Sequence, residues 1–266
     1  MSSLRVSTIS LRTMKTKSLL QFAFVVCCFL LLDCCASSGR NESTQESDSE
    51  SEMWTAVEVD TTHTGLRIYY PQFGSVGLVT GEMPDTTVDV VIFCCAAAFT
   101  GECLDEFKHG NVAGDHVSDG MGKRYHGFRC TRNNGAFVFY NNQWKFLHKN
   151  YSAELDSAAV HEGSGFAQEM MIHNGVEVSH TRKAGSENLF RALCEIDGKL
   201  CVADAKEWGT FGSYINNLLN AGVKEALYLD MGTGWNHSWY RPEVNSELMG
   251  PAVIIHPKCM TIAPTG

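Results

Sequence analysis

The stretch RALCEIDGKLCVAD, residues 191–204, decides the fold because it has the pattern of a β-hairpin. Asp197 and Gly198 separate two apolar runs. A type I′ turn requires positive φ at both of its central residues, and Asp-Gly is among the dipeptides that satisfy this requirement. The stretch therefore predicts two antiparallel strands joined by a two-residue turn.

That turn fixes which residues face each other across the hairpin. Arg191 is expected opposite Asp204, where an ion pair would fix the guanidinium. On the other face, Cys194 is expected opposite Cys201, near enough for a disulfide on distance grounds. Two small apolar thiols packed side by side are an equally good interpretation of that pair.

The rest of the chain body is also rich in strand patterns. β-Branched and aromatic residues predict strands at residues 56–60, 66–70, 76–80, 88–96, 135–141 and 143–148, with a turn at Asn141-Asn142 before the last. One segment, residues 210–222, predicts a helix with Thr210 as N-cap and Gly222 as its stop. The expected fold class is α+β: strand-rich mixed sheets with a few flanking helices in a single domain.

Composition narrows the classes of protein that the chain can belong to. Of its 266 residues, 44% are hydrophobic and 19% are charged, which is enough apolar material for a sizeable core. The formal net charge of -9 is the wrong sign for a protein that binds the backbone of nucleic acids. We therefore expect a folded domain and no nucleic-acid partner.

The first part of the chain predicts export. Residues 1–35 combine a basic start with an apolar run and are interpreted as a signal peptide. Cys34 or Cys35 is a candidate for lipidation of a periplasmic or cell-surface lipoprotein, with plain secretion as the alternative. Residues 36–53 form an acidic, Ser-rich tether before the domain at 54–266. A membrane partner is expected only through that lipid anchor, and the oligomeric state stays open.

The block from about residue 163 to residue 240 resembles the phosphodiester glycosidase family. Its features are, in order, GSGFAQEMMIHNG at 163–175, the Arg-led hairpin, the helix and ALYLDMGTG at 226–234. Members of that family typically carry an Arg at the start of the hairpin, an Asp and a basic residue after it, and a strand that ends in Leu-Asp. The residues at those positions here are Arg191, Asp204, Lys206 and Asp230.

The resemblance implies a hydrolase that cleaves a sugar-1-phosphodiester in a glycan or glycoconjugate. For such chemistry the planar fork of Arg191 suits a phosphate group. Asp230, together with Asp204, is a catalytic candidate because it ends an apolar strand beside Gly232, where the backbone leaves room for a ligand. Whether Asp230 acts as base or nucleophile stays open, and a turn-capping role is the alternative.

A second group of candidates lies in FKHGNVAGDH, residues 107–116. His109, Asn111 and His116 are candidates for binding the substrate phosphate or moving protons. No cofactor is expected, although a divalent cation near His109, Asp115 and His116 stays open.

Other candidates would bind the sugar itself. Gln168 and Glu169 follow a glycine-containing turn and are candidates to line a sugar pocket, with Glu169 favoured slightly as a solvent-facing strand residue. The aromatic rings of Trp235, Trp239 and Tyr240 are candidates to stack on a sugar ring, or else to close a core.

Two departures from the family pattern favour a second function. The family's Asp-Gly-Gly is Asp230-Met231-Gly232 here, and no Asn precedes Phe99 where the family has an Asn-Gly-Gly-Phe-like loop. The alternative is a catalytically inactive glycan-binding surface lipoprotein of the same fold. Catalysis by Cys94 or Cys95 is a weaker third interpretation, since both lie in an apolar strand. The enzymatic hypothesis expects the Arg191 guanidinium and a strand-end carboxylate to converge on one open cleft.

Overall fold

The computed structural model of the chain describes residues 53–80, 85–87, 91–98, 112–118, 122–231, 238–245 and 260–262. Contacts divide the chain into two units, Met1–Ser49 and Glu50–Gly266, and all described residues lie in the second unit. The predicted signal peptide, with Cys34 and Cys35, and the tether up to residue 52 lie outside the described residues. Neither helix of the described part is long and apolar enough to cross a membrane.

Most regular elements of the described residues are strands. In chain order the elements are β1 (Met53–Thr55), β2 (Val57–Asp60), β3 (Leu66–Pro71), β4 (Leu78–Thr80), β5 (Phe93–Cys94), β6 (Asp115–Val117), β7 (Arg124–His126), β8 (Gly135–Tyr140), β9 (Gln143–His148), α1 (Ser152–Val160), β10 (Ser164–Gln168), β11 (Met170–His173), β12 (Val176–Glu177), β13 (Glu187–Asn188), β14 (Arg191–Ile196), β15 (Lys199–Ala205), β16 (Gly209–Thr210), α2 (Phe211–Asn220), β17 (Glu225–Leu229), β18 (Trp239–Tyr240), β19 (Glu243–Asn245) and β20 (Met260–Ile262). The predicted α+β class, with strands predominating, is confirmed.

Two antiparallel sheets carry the architecture. The larger has seven strands in the order β12-β11-β17-β14-β15-β3-β2, and the smaller has five in the order β7-β6-β10-β8-β9. Apolar side chains of both sheets, among them Phe137, Phe166 and Leu193, meet in one buried cluster between them. A second cluster joins the larger sheet to α2, and a third joins the smaller sheet to α1. The centre of each sheet is therefore buried on both faces, which explains the nearly continuous apolar sequences of central strands such as β8 and β17.

The hairpin has the register that the sequence predicts. Arg191 pairs with Asp204 and Cys194 with Cys201 across β14 and β15. Asp197 and Gly198 have φ values of 49° and 75°, as a type I′ turn requires. Because β14 also pairs with β17 and β15 with β3, the hairpin is the centre of the larger sheet.

Several local predictions are confirmed and others need correction. The Thr210 side chain accepts a hydrogen bond from the Ser213 backbone N–H at 3.1 Å and caps α2. A strand was predicted at residues 88–96, but among the described residues of that range only Phe93–Cys94 form one, β5. The buried segment 91–98 makes few backbone hydrogen bonds to a neighbouring strand. Helix α1 was not predicted; the small side chains Ala158 and Ala159 pack it against the smaller sheet, and they give a weak sequence signal.

The GSG sequence expected to form a turn instead enters a strand. Ser164 and Gly165 belong to β10, where Gly165 lies opposite Val138 of β8. A Cβ atom on Gly165 would lie 2.8 Å from the carbonyl oxygen of Phe137. The glycine therefore permits close approach of two strands, which a turn-based interpretation does not capture.

Candidate functional site

Arg191 and Asp204 form a two-point ion pair at one end of the larger sheet. Arg191 Nε donates to Asp204 Oδ1 at 2.7 Å, and a terminal nitrogen donates to Oδ2 at 3.2 Å. The Arg191 side chain is 0% exposed, whereas that of Asp204 is 16% exposed. Burial is the largest single effect and lowers the pKa of Arg191, but attraction to Asp204 and Cys95 and hydrogen bonding to Asp204 together outweigh it, so the pKa is raised. Arg191 therefore holds a carboxylate that solvent still reaches. The expectation that its own guanidinium opens onto a cleft is wrong, because that group is sealed beneath packed side chains.

Two further side chains surround the Asp204 carboxylate. The Ser238 hydroxyl donates to Asp204 Oδ2 at 3.0 Å. Arg67 of β3 lies directly opposite Asp204 in the ladder and is exposed. A hydrogen bond with Tyr69, assisted by attraction to Asp204, raises the pKa of Arg67. Asp204 thus lies in register between a buried arginine on one strand and an exposed arginine on the next.

Aromatic rings border the same strand end. The rings of Tyr240 and Tyr69 are 5.3 Å apart, and that of Phe93 lies 5.4 Å from Tyr69. Tyr240 is exposed, and its neighbour Trp239 carries the Arg241 guanidinium 5.7 Å above its ring. We call Arg67, Asp204, Ser238 and Tyr240 the strand-end patch. It combines a cation, a carboxylate, a hydroxyl and an exposed ring.

Asp230 lies next to this strand end along the backbone. It follows Leu229, the residue of β17 that pairs with Arg191, and its N–H donates to the Ala97 carbonyl oxygen at 2.9 Å. Its half-buried carboxylate contributes, after the larger effect of burial, to the raised pKa of Tyr228. Tyr228 packs in the cluster on the α2 side of the sheet. A catalytic role for Asp230 stays a prediction, and Gly232 and Trp235 lie outside the described residues.

Lys206, expected at the site from the family pattern, is engaged with the backbone. Its ammonium group donates to the carbonyl oxygens of Thr61 at 2.7 Å and His63 at 3.1 Å. These contacts join the end of β15 to the loop between β2 and β3. A role for Lys206 in substrate binding stays a prediction.

Glu169 is buried, so the expectation of a solvent-facing strand residue is wrong. The chain leaves the smaller sheet after β10 and enters the larger one at β11, and Glu169 lies at that crossing, where alternation is interrupted. Two Arg182 nitrogens donate to Glu169 Oε2 at 3.0 and 2.7 Å. The Arg182 guanidinium lies 4.4 Å from the ring centre of Phe211 and 4.2 Å from that of Tyr228.

Gln168, the other residue proposed to line a sugar pocket, faces the interior. Its side chain is fully buried, and the side-chain oxygen Oε1 accepts a hydrogen bond from the Glu169 backbone N–H at 2.9 Å. Its amide nitrogen is buried and has no hydrogen-bond partner within the described residues. A sugar-binding role for Gln168 stays a prediction.

The loop candidates belong to the smaller sheet as far as the structure describes them. His109 and Asn111 lie outside the described residues. Asp115 and His116 are consecutive in β6, so their side chains point to opposite faces. His116 is buried and stacks on Tyr125 with ring centres 5.5 Å apart, whereas Asp115 Oδ1 lies 2.8 Å from His126 Nδ1. In the described ranges, no three His, Cys, Asp or Glu side chains are arranged to hold a metal ion.

The cysteines of the hairpin are not joined. Cys194 and Cys201 are free thiols, and Cys201 Sγ donates to the Cys194 carbonyl oxygen at 3.6 Å. The disulfide interpretation is therefore wrong, and side-by-side packing of thiols is confirmed. Cys95 is fully buried, and burial raises its pKa well above the usual range. A thiol in that state is a poor nucleophile at neutral pH.

Arg67 and Ser238 were missed by the sequence interpretation. Arg67 lies in LRIYY between Leu66 and Ile68, which both pack in the cluster on the α2 side. The alternation therefore does indicate that Arg67 points to the other face of the sheet. Which residue it meets depends on the pairing of β3 with β15, strands that are far apart in the chain. Sequence spacing alone does not specify that pairing.

Comparisons with known proteins give only a distant structural likeness. No protein-family model matches the chain, and no curated protein sequence matches it. Among solved structures, the zebrafish N-acetylglucosamine-1-phosphodiester alpha-N-acetylglucosaminidase catalytic domain, auto-inhibited by its pro-peptide, matches with a TM-score of 0.38 and 13% identity over 73% of this chain and 75% of that one. A hypothetical protein from Synechocystis matches with a TM-score of 0.37 and 10% identity over 71% of this chain and 60% of that one. We draw no functional argument from likeness at this level.

Proposed function

We propose that this chain is a hydrolase that cleaves a sugar-1-phosphodiester at the strand-end patch. The observation that carries the proposal is the row Arg191, Asp204 and Arg67 across three adjacent strands. In this row the carboxylate is held by a buried arginine and stays open to solvent beside an exposed arginine. The family resemblance of the hairpin residues supports the same substrate class.

The roles follow from charge and exposure. Arg67 engages the phosphate, because its guanidinium is the accessible one of the two. Asp204 stabilises the positive charge that develops at the anomeric carbon as the bond to the phosphate oxygen breaks. Arg191 is a positioning residue that fixes the carboxylate through two hydrogen bonds. Tyr240 offers a ring face to the sugar.

The reaction balances with water as the only other reactant. The bond between the anomeric carbon and the phosphate oxygen breaks, and the leaving phosphate ester keeps the electron pair. The oxygen of water bonds to the anomeric carbon, and the released proton goes to solvent. Because a phosphate ester is a good leaving group, the reaction needs little help from a general acid. A single oriented carboxylate is therefore chemically sufficient.

Glycan binding without turnover is the second candidate function. It is favoured by the complete burial of Arg191, whose fork is already engaged with Asp204. The Arg191 guanidinium, which the sequence analysis assigns to phosphate binding, is then not part of the ligand site. An exposed ring beside an arginine and a carboxylate still suits an anionic sugar.

The proposal places this activity outside the cytoplasm. Its support is the signal-peptide pattern of residues 1–35 and the acidic tether that follows. Expression with an intact N-terminus, followed by fractionation and mass determination of the mature protein, tests this part separately. A mature N-terminus at Cys34 or Cys35 carrying a lipid supports the lipoprotein form, and an unprocessed protein in the cytoplasm contradicts export.

Turnover of a synthetic hexose-1-phosphodiester with a chromogenic leaving group tests the enzymatic proposal. We expect Asp204→Asn to lower kcat/KM about 10²- to 10⁴-fold, because the oriented charge is lost while the side chain keeps its shape. Glu169→Gln is the matched control, since it makes the same change in the Arg182–Glu169 pair and should stay within about threefold of wild type.

The outcomes separate the two functions. Turnover in wild type that Asp204→Asn abolishes supports the hydrolase. A wild type that binds the diester without cleaving it supports glycan binding. Turnover that Asp204→Asn leaves unchanged contradicts the assignment of the site.

A further inference from the structure

A cavity of about 440 Å³ lies at the same end of the larger sheet, on its α2 side. Its apolar wall includes Phe190, Ala205 and Tyr214, which belong to or pack against the cluster between the sheet and α2. Ala205 follows Asp204 in β15, so the two side chains point to opposite faces of the sheet. The cavity is therefore separate from the strand-end patch.

Trp208 is an exposed part of the cavity wall. It is 66% exposed, a value equalled by Val176 and exceeded by Val160 among the exposed large hydrophobic residues of the described part. No ring–ring or cation–π contact involves its indole within the residues that the structure describes. An indole that faces solvent beside a cavity offers a flat apolar surface to a ligand.

Polar groups with open hydrogen-bonding capacity stand around that indole. The half-buried Asn217 amide and the exposed Glu207 carboxylate have no hydrogen-bond partner in the described part of the chain. The Asn217 amide occupies space left by Gly65, where a Cβ atom would lie 2.5 Å from the amide nitrogen. The cavity thus offers donors and acceptors close to an apolar ring face.

The charges around the cavity favour a neutral ligand. Glu207 adds a negative charge to the wall, and the ammonium group of Lys206 is engaged with two backbone carbonyl oxygens. No other Lys or Arg is among the described residues that line the cavity. An anion would meet the Glu207 carboxylate there without a free cation to offset the repulsion.

We propose that this Trp208 pocket binds a neutral hexopyranose ring. The apolar face of the sugar stacks on the indole, and its hydroxyl groups exchange hydrogen bonds with Asn217 and Glu207. The volume accommodates one ring with its hydroxymethyl group. Because the pocket and the patch lie on opposite faces of β15, binding here does not require turnover at Asp204.

The test is a titration of the isotope-labelled protein with methyl α-D-glucopyranoside, followed through the indole N–H signals in a nitrogen–proton correlation spectrum. Sorbitol, an open-chain polyol, is the control ligand. We expect the Trp208 signal, assigned by its loss in Trp208→Phe, to shift with saturation and a Kd on the order of millimolar, as for a small single-ring ligand. Sorbitol should leave it in place.

Three variants sharpen the test, with sugar affinity measured by calorimetry. Trp208→Ala should weaken binding on the order of tenfold or more, and Trp208→Phe by less, because a smaller ring remains. Phe128→Ala, which removes an exposed ring that belongs neither to the pocket nor to the strand-end patch, should leave the affinity unchanged. The proposal is overturned if the sugar produces no saturable shift, if sorbitol produces the same shift, or if Trp208→Ala binds as tightly as wild type.

Discussion

Among the arginine–carboxylate pairs of the described residues, Arg191–Asp204 and Arg182–Glu169 are built in opposite ways. In the Arg191–Asp204 pair the arginine is 0% exposed and the carboxylate 16% exposed. In the Arg182–Glu169 pair the carboxylate is 3% exposed and the arginine 15% exposed. Each pair has two short nitrogen–oxygen contacts, so contact distances alone do not distinguish them.

The difference lies in which partner faces solvent. Arg182 covers Glu169 and packs over the rings of Phe211 and Tyr228, which ties its segment to the α2 side of the sheet. Arg191 is covered itself and presents Asp204 to solvent beside Arg67. The first arrangement suits stability, and the second suits interaction with a ligand, because only there is the carboxylate accessible.

The largest expected effect comes from removing the exposed partner of the Arg191 pair. Asp204→Ala leaves a buried guanidinium without its carboxylate, and a guanidinium keeps its charge at any ordinary pH. We expect the free energy of unfolding to fall by about 3–5 kcal/mol, measured by urea denaturation. A loss equal to that of an ordinary surface substitution would contradict the burial of Arg191. Asp204→Asn, which keeps one acceptor for Arg191, should lose less.

A smaller loss is expected when the exposed partner of the other pair is removed. Arg182→Met leaves the Glu169 carboxyl group buried, but a carboxyl group can take up a proton and so escape an unpaired charge. The methionine also retains contact with the aromatic rings. We expect a loss of about 1–3 kcal/mol in the same denaturation experiment. A loss greater than that of Asp204→Ala would reverse the comparison.

The smallest effect should appear at alkaline pH, where each pair has a neighbouring tyrosine. Burial raises the pKa of Tyr69 near Asp204 and of Tyr228 near Arg182 above the ordinary tyrosine value of about 10. Because the tyrosines have a lower pKa in the unfolded chain, unfolding releases protons above about pH 10. The free energy of unfolding is therefore unaffected by these tyrosines below that pH and falls as the pH rises further. Tyr69→Phe and Tyr228→Phe should each make the decline of the unfolding midpoint shallower. An unchanged decline in both variants would show that these tyrosines titrate normally.

Local sequence signals were sufficient for the centre of the fold. The Asp197-Gly198 turn fixes the register of β14 and β15, and that register alone places Arg191 opposite Asp204. The cap at Thr210 likewise depends on a residue three positions away. These predictions succeed because the interacting residues are close in sequence and the turn chemistry is restrictive.

Local sequence patterns did not predict contacts between segments that are far apart in the chain. Glu169 looked like one more residue of an alternating strand, but the chain changes sheets there, and its partner Arg182 lies in the segment between β12 and β13. Arg67 acquires its place beside Asp204 only through the pairing of β3 with β15. Both depend on how the sheets assemble, which is a property of the whole packed domain.

Affinity for a non-hydrolysable hexose-1-phosphonate ester tests the comparison most directly, because it isolates binding from turnover. Calorimetry would compare wild type with two matched variants. Arg67→Met removes the exposed arginine beside Asp204, and Arg182→Met removes the arginine that covers Glu169. The account predicts that Arg67→Met weakens binding on the order of tenfold, the value of one charge-assisted hydrogen bond, and that Arg182→Met leaves it within about twofold. Equal affinities for wild type and Arg67→Met, or a loss confined to Arg182→Met, would contradict it.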